Sequence, residues 1–473
     1  MKYLIDDILV NENDGQTAIR KKAAERLGAN FKSLRIEIIS RRWVRTENGG
    51  AIRLSVLCES NEFLRSTTAF SYKPDLESTW ATLKWKERPV VVGFGVPGIV
   101  AAYYLAKRGL RPIVLERGNS ISIQGTSPKE KETLNPDGEG GLFAYTGMMF
   151  CADNLDPELK KMLEGDGISF GGPDAYRFIS PSELRAIIGK MHSAIIDAGG
   201  EVIFNATYLG IKRWFRRMKG VLYNHEGRTK LIKTTRLLLT YGASDDTFFI
   251  GASIPCLGQP YNECVYGRKI VDSKAAPFYV EQEVKVGRAS KALFLTGLKG
   301  ARVMDIGTRS ELCMQSYNFD GKGKYVHSFI GIEATKEEAE QICKNAYDAS
   351  KPKRIPCSAV NDYVAKRNPL RLGSIKPEKV SDIRLDSFSK LFGPTASKRF
   401  SSALNHLAKT YPYLLSKDTI LEGLFALPGC SDDRPIQVDG AFVSRVLATR
   451  AFDFASKASG GYFAAKALCD SAR

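Results

Sequence analysis

The chain has 473 residues, 43% of them hydrophobic, enough for two or three domains with cores of their own. Lys and Arg number 69 against 52 Asp and Glu, a formal +17, and such a field attracts polyanions: nucleic acid, anionic surfaces or phosphate-rich cofactors. Nine scattered cysteines without a C-x-x-C pair argue against a disulfide framework and for a reducing cytoplasmic setting, and four histidines far apart in sequence argue against a metal site.

The opening segment, MKYLIDDILVNEND, carries acids where a signal peptide needs an uninterrupted apolar run. No apolar stretch is long enough for a transmembrane span, so no membrane partner is expected. Residues 1–86 read as a small α/β unit. A strand from Tyr3 to Val10 precedes a helix from Thr17 to Leu27, closed by Gly28. Leu34 to Val44 and Ala51 to Cys58 then pair as a hairpin across Glu47-Asn-Gly-Gly50. Nothing in this unit is catalytic by residue type, and a docking or lid role is its simplest reading. The poorly patterned run from Tyr72 to Lys86 reads as a linker.

Residues 87–250 open on PVVVGFGVPGIVAAYYLAKRGLRPIVLERG, a strand, a glycine turn, a helix and a second strand. Val90 to Val92 is the β-branched run that a buried parallel strand needs. Gly93, Gly95 and Gly98 then form G-x-G-x-x-G: a tight turn, a close backbone approach to a pyrophosphate, and close helix–strand packing. Val96 and Pro97 begin the helix, whose N-terminus offers N–H groups and a positive dipole end to phosphate. Glu116, eighteen residues beyond Gly98 and followed by Arg117, is placed to accept hydrogen bonds from an adenosine ribose and to repel a 2′-phosphate.

A polar loop leads to Gly138-Glu-Gly-Gly-Leu-Phe-Ala-Tyr-Thr-Gly147, which by itself fits either an ordinary flexible loop or backbone passing close to a ligand. Ser182 to Ala198 reads as an amphipathic helix, Glu201 to Phe204 as a strand, and Lys219 to Tyr223 with Thr229 to Ile232 as a hairpin. Before that hairpin lies the densest basic cluster, Ile211-Lys-Arg-Trp-Phe-Arg-Arg-Met-Lys219. It predicts a solvated face whose aromatics pack inward; nucleic acid is the less favoured alternative, since no recognisable module accompanies the charge. Leu237-Leu-Leu-Thr-Tyr-Gly242 is an apolar strand stopped by glycine, which suits a cofactor passing Gly242 or merely a strand end.

The order RPVVVGFGVPG, IVLERG, GEGG, GGEVIF and LLLTYGASDDTF resembles a family of FAD-dependent proteins, also called NAD(FAD)-utilising dehydrogenases, which have a two-dinucleotide-binding-domain flavoprotein fold. The resemblance is specific at Arg88 to Gly98, Ile113 to Gly118 and Gly138 to Gly141, and loose elsewhere. It implies that Gly93, Gly95 and Gly98 face an FAD pyrophosphate and Glu116 the ribose. It further implies that Gly140 and Gly141 approach the cofactor and that Val202 contacts the adenine by its backbone. Near the C-terminus, Asp453-Phe-Ala-Ser-Lys-Ala-Ser-Gly-Gly-Tyr462 stands where the family has G-E-G-A-G-Y-A-G-G-I. Asp453 would then meet the ribityl chain, with Gly460 and Gly461 at a helix start. Three departures matter. Leu142 to Phe150 lacks the acid and lysine of the family pattern, Thr240-Tyr241-Gly242 replaces A-T-G, and Gln315 stands where a second cysteine would follow Cys313. A dithiol reaction is therefore not expected, and Cys313 reads as structural.

Residues 251–428 read as an inserted mixed α/β substrate domain and 429–473 as a return to the cofactor domain. Arg302, Arg309, Arg371 and Arg434 are candidates for an acidic substrate but equally for surface ion pairs. The expected fold is doubly wound, Rossmann-like α/β. The expected function is an FAD-dependent oxidoreductase of undefined small-molecule substrate, with NAD(P)H a candidate donor, reduced slowly because of the departures. NAD alone is the rival cofactor, and a catalytically quiet binder of RNA or another acidic partner is the rival function.

Overall fold

The computed structural model describes residues 2–10, 14–46, 49–60, 70–71, 83–120, 138–141, 144, 147–170, 176–215, 217–240, 247–256, 280–286, 290–299, 301–305, 314–318, 325–349, 354–377, 383–428, 435–445 and 453–471. The N-terminal unit is an antiparallel sheet of β1 (Lys2–Val10), β2 (Arg35–Thr46), β3 (Gly49–Glu59) and the short β4 (Phe70–Ser71), in the order β2-β3-β1-β4. Helix α1 (Gln16–Leu27) lays Ile19, Ala23, Ala24 and Leu27 against Tyr3, Ile5, Ile8 and Val10 of β1. That helix and hairpin follow the turn signals in the chain.

The central layer begins with β5 (Val90–Val92), helix α2 (Val96–Lys107) and β6 (Ile113–Leu115). Strand β7 (Met148–Cys151), helix α3 (Pro157–Gly165), β8 (Tyr176–Ile179), helix α4 (Pro181–Asp197) and β9 (Glu201–Ile203) follow. A three-stranded meander, β10 (Ala206–Trp214), β11 (Arg217–His225) and β12 (Arg228–Ile232), returns the chain to β13 (Leu237–Leu239). Every position of α2 from Val96 to Ala106 except Pro97 is buried, because the sheet lies on one side and other helices on the rest.

The second large unit holds β14 (Thr247–Cys256), β15 (Val280–Val286), β16 (Ser290–Lys299), β17 (Ala301–Asp305), β18 (Met314–Asn318), β19 (Val326–Thr335), helix α5 (Lys336–Ala349), β20 (Ile355–Ala359), helix α6 (Val360–Val364), β21 (Ile383–Leu385), helix α7 (Phe388–Leu407) and β22 (Ile420–Pro428). Seven strands form one sheet in the order β15-β16-β19-β14-β22-β20-β21, while β17 and β18 pair separately. Helices α5 and α7 bury Ile342, Cys343, Phe388, Leu391 and Phe400 in the core of this unit. Helix α7 kinks at Gly393–Pro394, where the proline ring removes a backbone donor.

The chain then re-enters the central sheet through β23 (Ile436–Val438), β24 (Ala441–Val443) and helix α8 (Phe454–Asp470). The sheet order is β23-β24-β13-β5-β6-β9, and all neighbours except β23 and β24 run parallel. This is the doubly wound, Rossmann-like arrangement, with its order reversing between β5 and β13, and ligands of such sheets bind at that switch point beyond the strand ends. Among the described residues no helix is long and apolar enough to cross a membrane.

Candidate dinucleotide site

The site is built where β5 ends. The Gly93 N–H donates to the Leu115 carbonyl at 2.8 Å, which turns the chain away from the sheet. Helix α2 then starts with Gly95 as its N-cap and no capping side chain. A Cβ at Gly95 would meet only Pro97 Cδ, at 4.0 Å, so space remains open beside that backbone. A Cβ at Gly98 would instead lie 1.9 Å from the Gly93 oxygen and 2.8 Å from Thr240 Oγ1. The third glycine is thus a packing requirement, whereas the second faces space.

Thr240, at the end of β13, closes the far side of this turn. Its hydroxyl donates to the carbonyls of Val92 (2.7 Å) and Gly93 (3.2 Å). Residues 241–246, Gly242 among them, lie outside the described residues.

Glu116 is 5% exposed and accepts three backbone hydrogen bonds. Phe94 N–H donates to Oε2 at 2.7 Å, and Gly118 and Gly138 N–H groups donate to Oε1 at 2.8 and 3.0 Å. The carboxylate therefore ties the glycine turn to the GEGG segment. Arg117 beside it is exposed. Val202 lies in β9, in register with Val114 of β6.

The GEGG segment docks on the turn directly. Gly140 N–H donates to the Phe94 carbonyl at 2.9 Å, and Gly140 forms an isolated bridge with Gly95. Gly140 has φ +77°, and a Cβ there would meet Ile188 Cδ1 at 2.5 Å, so both conformation and space select glycine. Gly141 completes the turn, its N–H bonded to the Gly138 carbonyl. Buried Glu139 meets His192 Nδ1 of α4 at 2.6 Å, and the His192 ring packs edge-on to Phe94. Sequence reasoning missed this pair, because 53 residues separate its members and no spacing rule joins them.

The C-terminal helix corrects one expectation. Gly460 and Gly461 do not start a helix; α8 begins at Phe454 and both glycines lie buried inside it. A Cβ at Gly461 would fall 2.1 Å from the Pro97 oxygen, so the glycine lets α8 touch the first turn of α2. Asp453 is the N-cap of α8, accepting from Ser456 N–H, and it also accepts from Cys151 N–H and Asn154 Nδ2, each at 2.9 Å. Its carboxylate is committed to joining α8 to the segment after β7.

A second correction concerns the basic cluster. Trp214 and Phe215 do not pack inward; they stand 69% and 87% exposed at the end of the β10–β11 hairpin. Of the other expectations, Gln315 lies in β18 and Arg302 in β17, Arg371 is exposed, and Cys313, Arg309 and Arg434 lie outside the described residues. The second sheet also hides a polar pair: Ser253 Oγ and His327 Nδ1 are 2.9 Å apart, with His327 wholly buried and its Nε2 without a hydrogen-bond partner. Burial pushes the His327 pKa down to about 3.

The family-model match agrees with the geometry of the turn. Residues 91–164 match the family model of the NAD(P)-binding Rossmann-like domain. An uncharacterized protein of Clostridium beijerinckii is 28% identical over 273 residues, 52% of this chain and 50% of that protein, so the match spans half the length of that relative. Thiamine thiazole synthase of Archaeoglobus fulgidus is 25% identical over 228 residues, 46% of this chain and 77% of that enzyme. Among solved structures, the flavin-dependent brominase Bmp2 is similar over 81% of this chain and 79% of its own, at 10% identity and a TM-score of 0.38.

Proposed function

We propose that this chain is an FAD-binding oxidoreductase that holds its cofactor non-covalently and acts on a small molecule. The observation that carries the reading is the open Gly95 backbone at an uncapped helix N-terminus, in a turn where Gly98 and Gly140 admit no side chain. Such a cradle suits a pyrophosphate, which needs N–H donors and no competing side chain. Glu116 fits the adenosine end. A carboxylate offers about four lone-pair positions; three are filled by backbone N–H groups, and Oε2 keeps one for a ribose hydroxyl. Val202 would flank the adenine by its backbone, while Asp453, Gly460 and Gly461 hold the helix rather than the cofactor.

Bound FAD would supply the electron-accepting ring, and the chain's part is to bind it, orient it and shape its surroundings. The proposed division is 1–86, 87–250, 251–428 and 429–473, with β14 crossing the second boundary, and the seven-stranded sheet is the proposed substrate-facing unit. A reducing cytoplasm suits Cys58, Cys151, Cys343, Cys357 and Cys469, which are buried and in no disulfide.

The test is a visible spectrum of the purified protein, followed by denaturation and identification of the released nucleotide. Flavin absorbance and released FAD are expected. Gly95→Asp, which sets a side chain and a like charge against the pyrophosphate, should abolish occupancy. Released NAD without flavin, or full flavin occupancy in Gly95→Asp, would overturn the assignment.

A further inference from the structure

The β10–β11 hairpin leaves the body of the protein with an unusual end. One part of the meander is firmly seated: Ala206, Met218, Val221 and Tyr223 pack with Val90, Val92, Ile113 and Leu115 of the central sheet. Beyond that anchor, Trp214 and Phe215 stand in solvent, ring centroids 5.7 Å apart and nearly perpendicular. Phe215 also holds φ at +52°, a strained conformation for a bulky residue. Burial within the chain compensates for neither the exposure nor the strain.

Within the hairpin itself the charged side chains have one sign. No acid occurs from Val202 to His225, while Lys212, Arg213, Arg217 and Lys219 lie on the strands beside the two rings. Arg213 is engaged by Asp439 at 3.2 Å. Lys212, Arg217 and Lys219 are exposed and have no acidic partner among the described residues.

We propose that this tip docks the protein on an anionic lipid surface, with Trp214 and Phe215 entering the headgroup layer and Lys212, Arg217 and Lys219 facing the lipid charges. Two features select a bilayer. Tryptophan is favoured at the membrane–water boundary, where its ring is apolar and its N–H stays wet. Apolar insertion combined with basic residues is the pattern of peripheral attachment. A single-stranded nucleic acid is matched less well, because it wants parallel stacking faces, whereas these two exposed rings stand at 87° to each other. The contact is with the surface only and needs no spanning segment, so it makes specific the anionic-surface reading of the +17 charge.

The experiment is sedimentation of the full chain with phosphatidylcholine vesicles, with and without phosphatidylserine. Binding is expected only with phosphatidylserine and should weaken as salt rises. Trp214→Ala/Phe215→Ala should weaken it on the order of tenfold or more, and Arg217→Glu/Lys219→Glu, which keeps the rings, on a similar scale. Brominated lipid should quench tryptophan emission in the native chain and much less in Trp214→Phe. Both multiple variants should keep the native urea unfolding midpoint, since the altered side chains are exposed. The proposal falls if the native chain ignores phosphatidylserine or if both variants bind as well as it does. It falls equally if the tip instead governs binding to polyuridylate RNA or pairing with a second copy of the chain while vesicles are ignored.

Discussion

Replacing Gly461 by alanine sets two physical effects against each other. Inside a helix the change should help, since alanine is better than glycine there by ~0.5–1 kcal/mol. Here the new Cβ would lie 2.1, 2.7 and 2.8 Å from the oxygen, carbon and Cα of Pro97. These are backbone atoms, which cannot rotate aside, so α8 and α2 must separate. Overpacking of this kind costs ~1–3 kcal/mol, and the net expectation is a loss of ~1–2 kcal/mol. Gly189, in α4, is the matched control: it is exposed and a Cβ there meets nothing within 4 Å. Gly189→Ala should therefore stabilise by the full helical gain, ~0.5–1 kcal/mol. Urea unfolding of the two variants beside the native chain gives both signs. Because Pro97 belongs to the first turn of α2, Gly461→Ala should also lower dinucleotide occupancy while Gly189→Ala leaves it unchanged. A Gly461→Ala protein as stable as Gly189→Ala, with full occupancy, would refute the packing argument.

Asp453→Ala should cost ~2–3 kcal/mol, combining a lost helix cap with the buried Cys151 N–H left unsatisfied, and a urea midpoint close to native would count against it. His327 is neutral in the folded protein and takes up a proton on unfolding below its ordinary pKa of 6.5, so stability should fall as pH drops through the window from 6.5 to about 3. By pH 5 the loss should be ~2 kcal/mol relative to His327→Gln; parallel stability curves for the two proteins would show that His327 is not the source. Anaerobic mixing of the flavin-loaded protein with NADH or NADPH should bleach the flavin more slowly than a typical turnover time of ~0.1 s, and faster bleaching would show that the changes around Leu142 to Phe150 and Gln315 are harmless.

The parts legible in the chain were those governed by local chemistry. The β5–α2–β6 unit, the helix ends at Leu27 and Asp197, and the β11–β12 hairpin all follow from apolar period and turn residues within a few positions. What escaped was set by partners remote in sequence. Gly460 and Gly461 looked like a helix start because paired glycines disfavour helix interiors, yet the demand for contact with Pro97 overrode that preference. The inward packing expected of Trp214 and Phe215 rests on hydrophobicity alone, and their position past the end of the seated strands leaves nothing to pack on. The Glu139–His192 contact depends on how α4 crosses the GEGG segment, which no local pattern encodes.

The glycine turn is short of intrinsic support, and that explains why so many distant residues converge on it. Apart from the buried Phe94 ring, its glycines contribute no side-chain contact, so much of its geometry must be imposed from outside. Glu116 holds Phe94 from β6, Thr240 holds the Val92 and Gly93 carbonyls from β13, Gly140 bonds the Phe94 carbonyl, and Gly461 brings α8 against Pro97. The four clamps come from four separate segments, and all leave the Gly95 face open. A turn that served only to reverse the chain would need no such convergence, and it could fill the space beside Gly95 with a side chain. The arrangement makes sense if the backbone at Gly95 must be held still before a charged group arrives, since donors fixed in advance bind an anion without the cost of ordering them first.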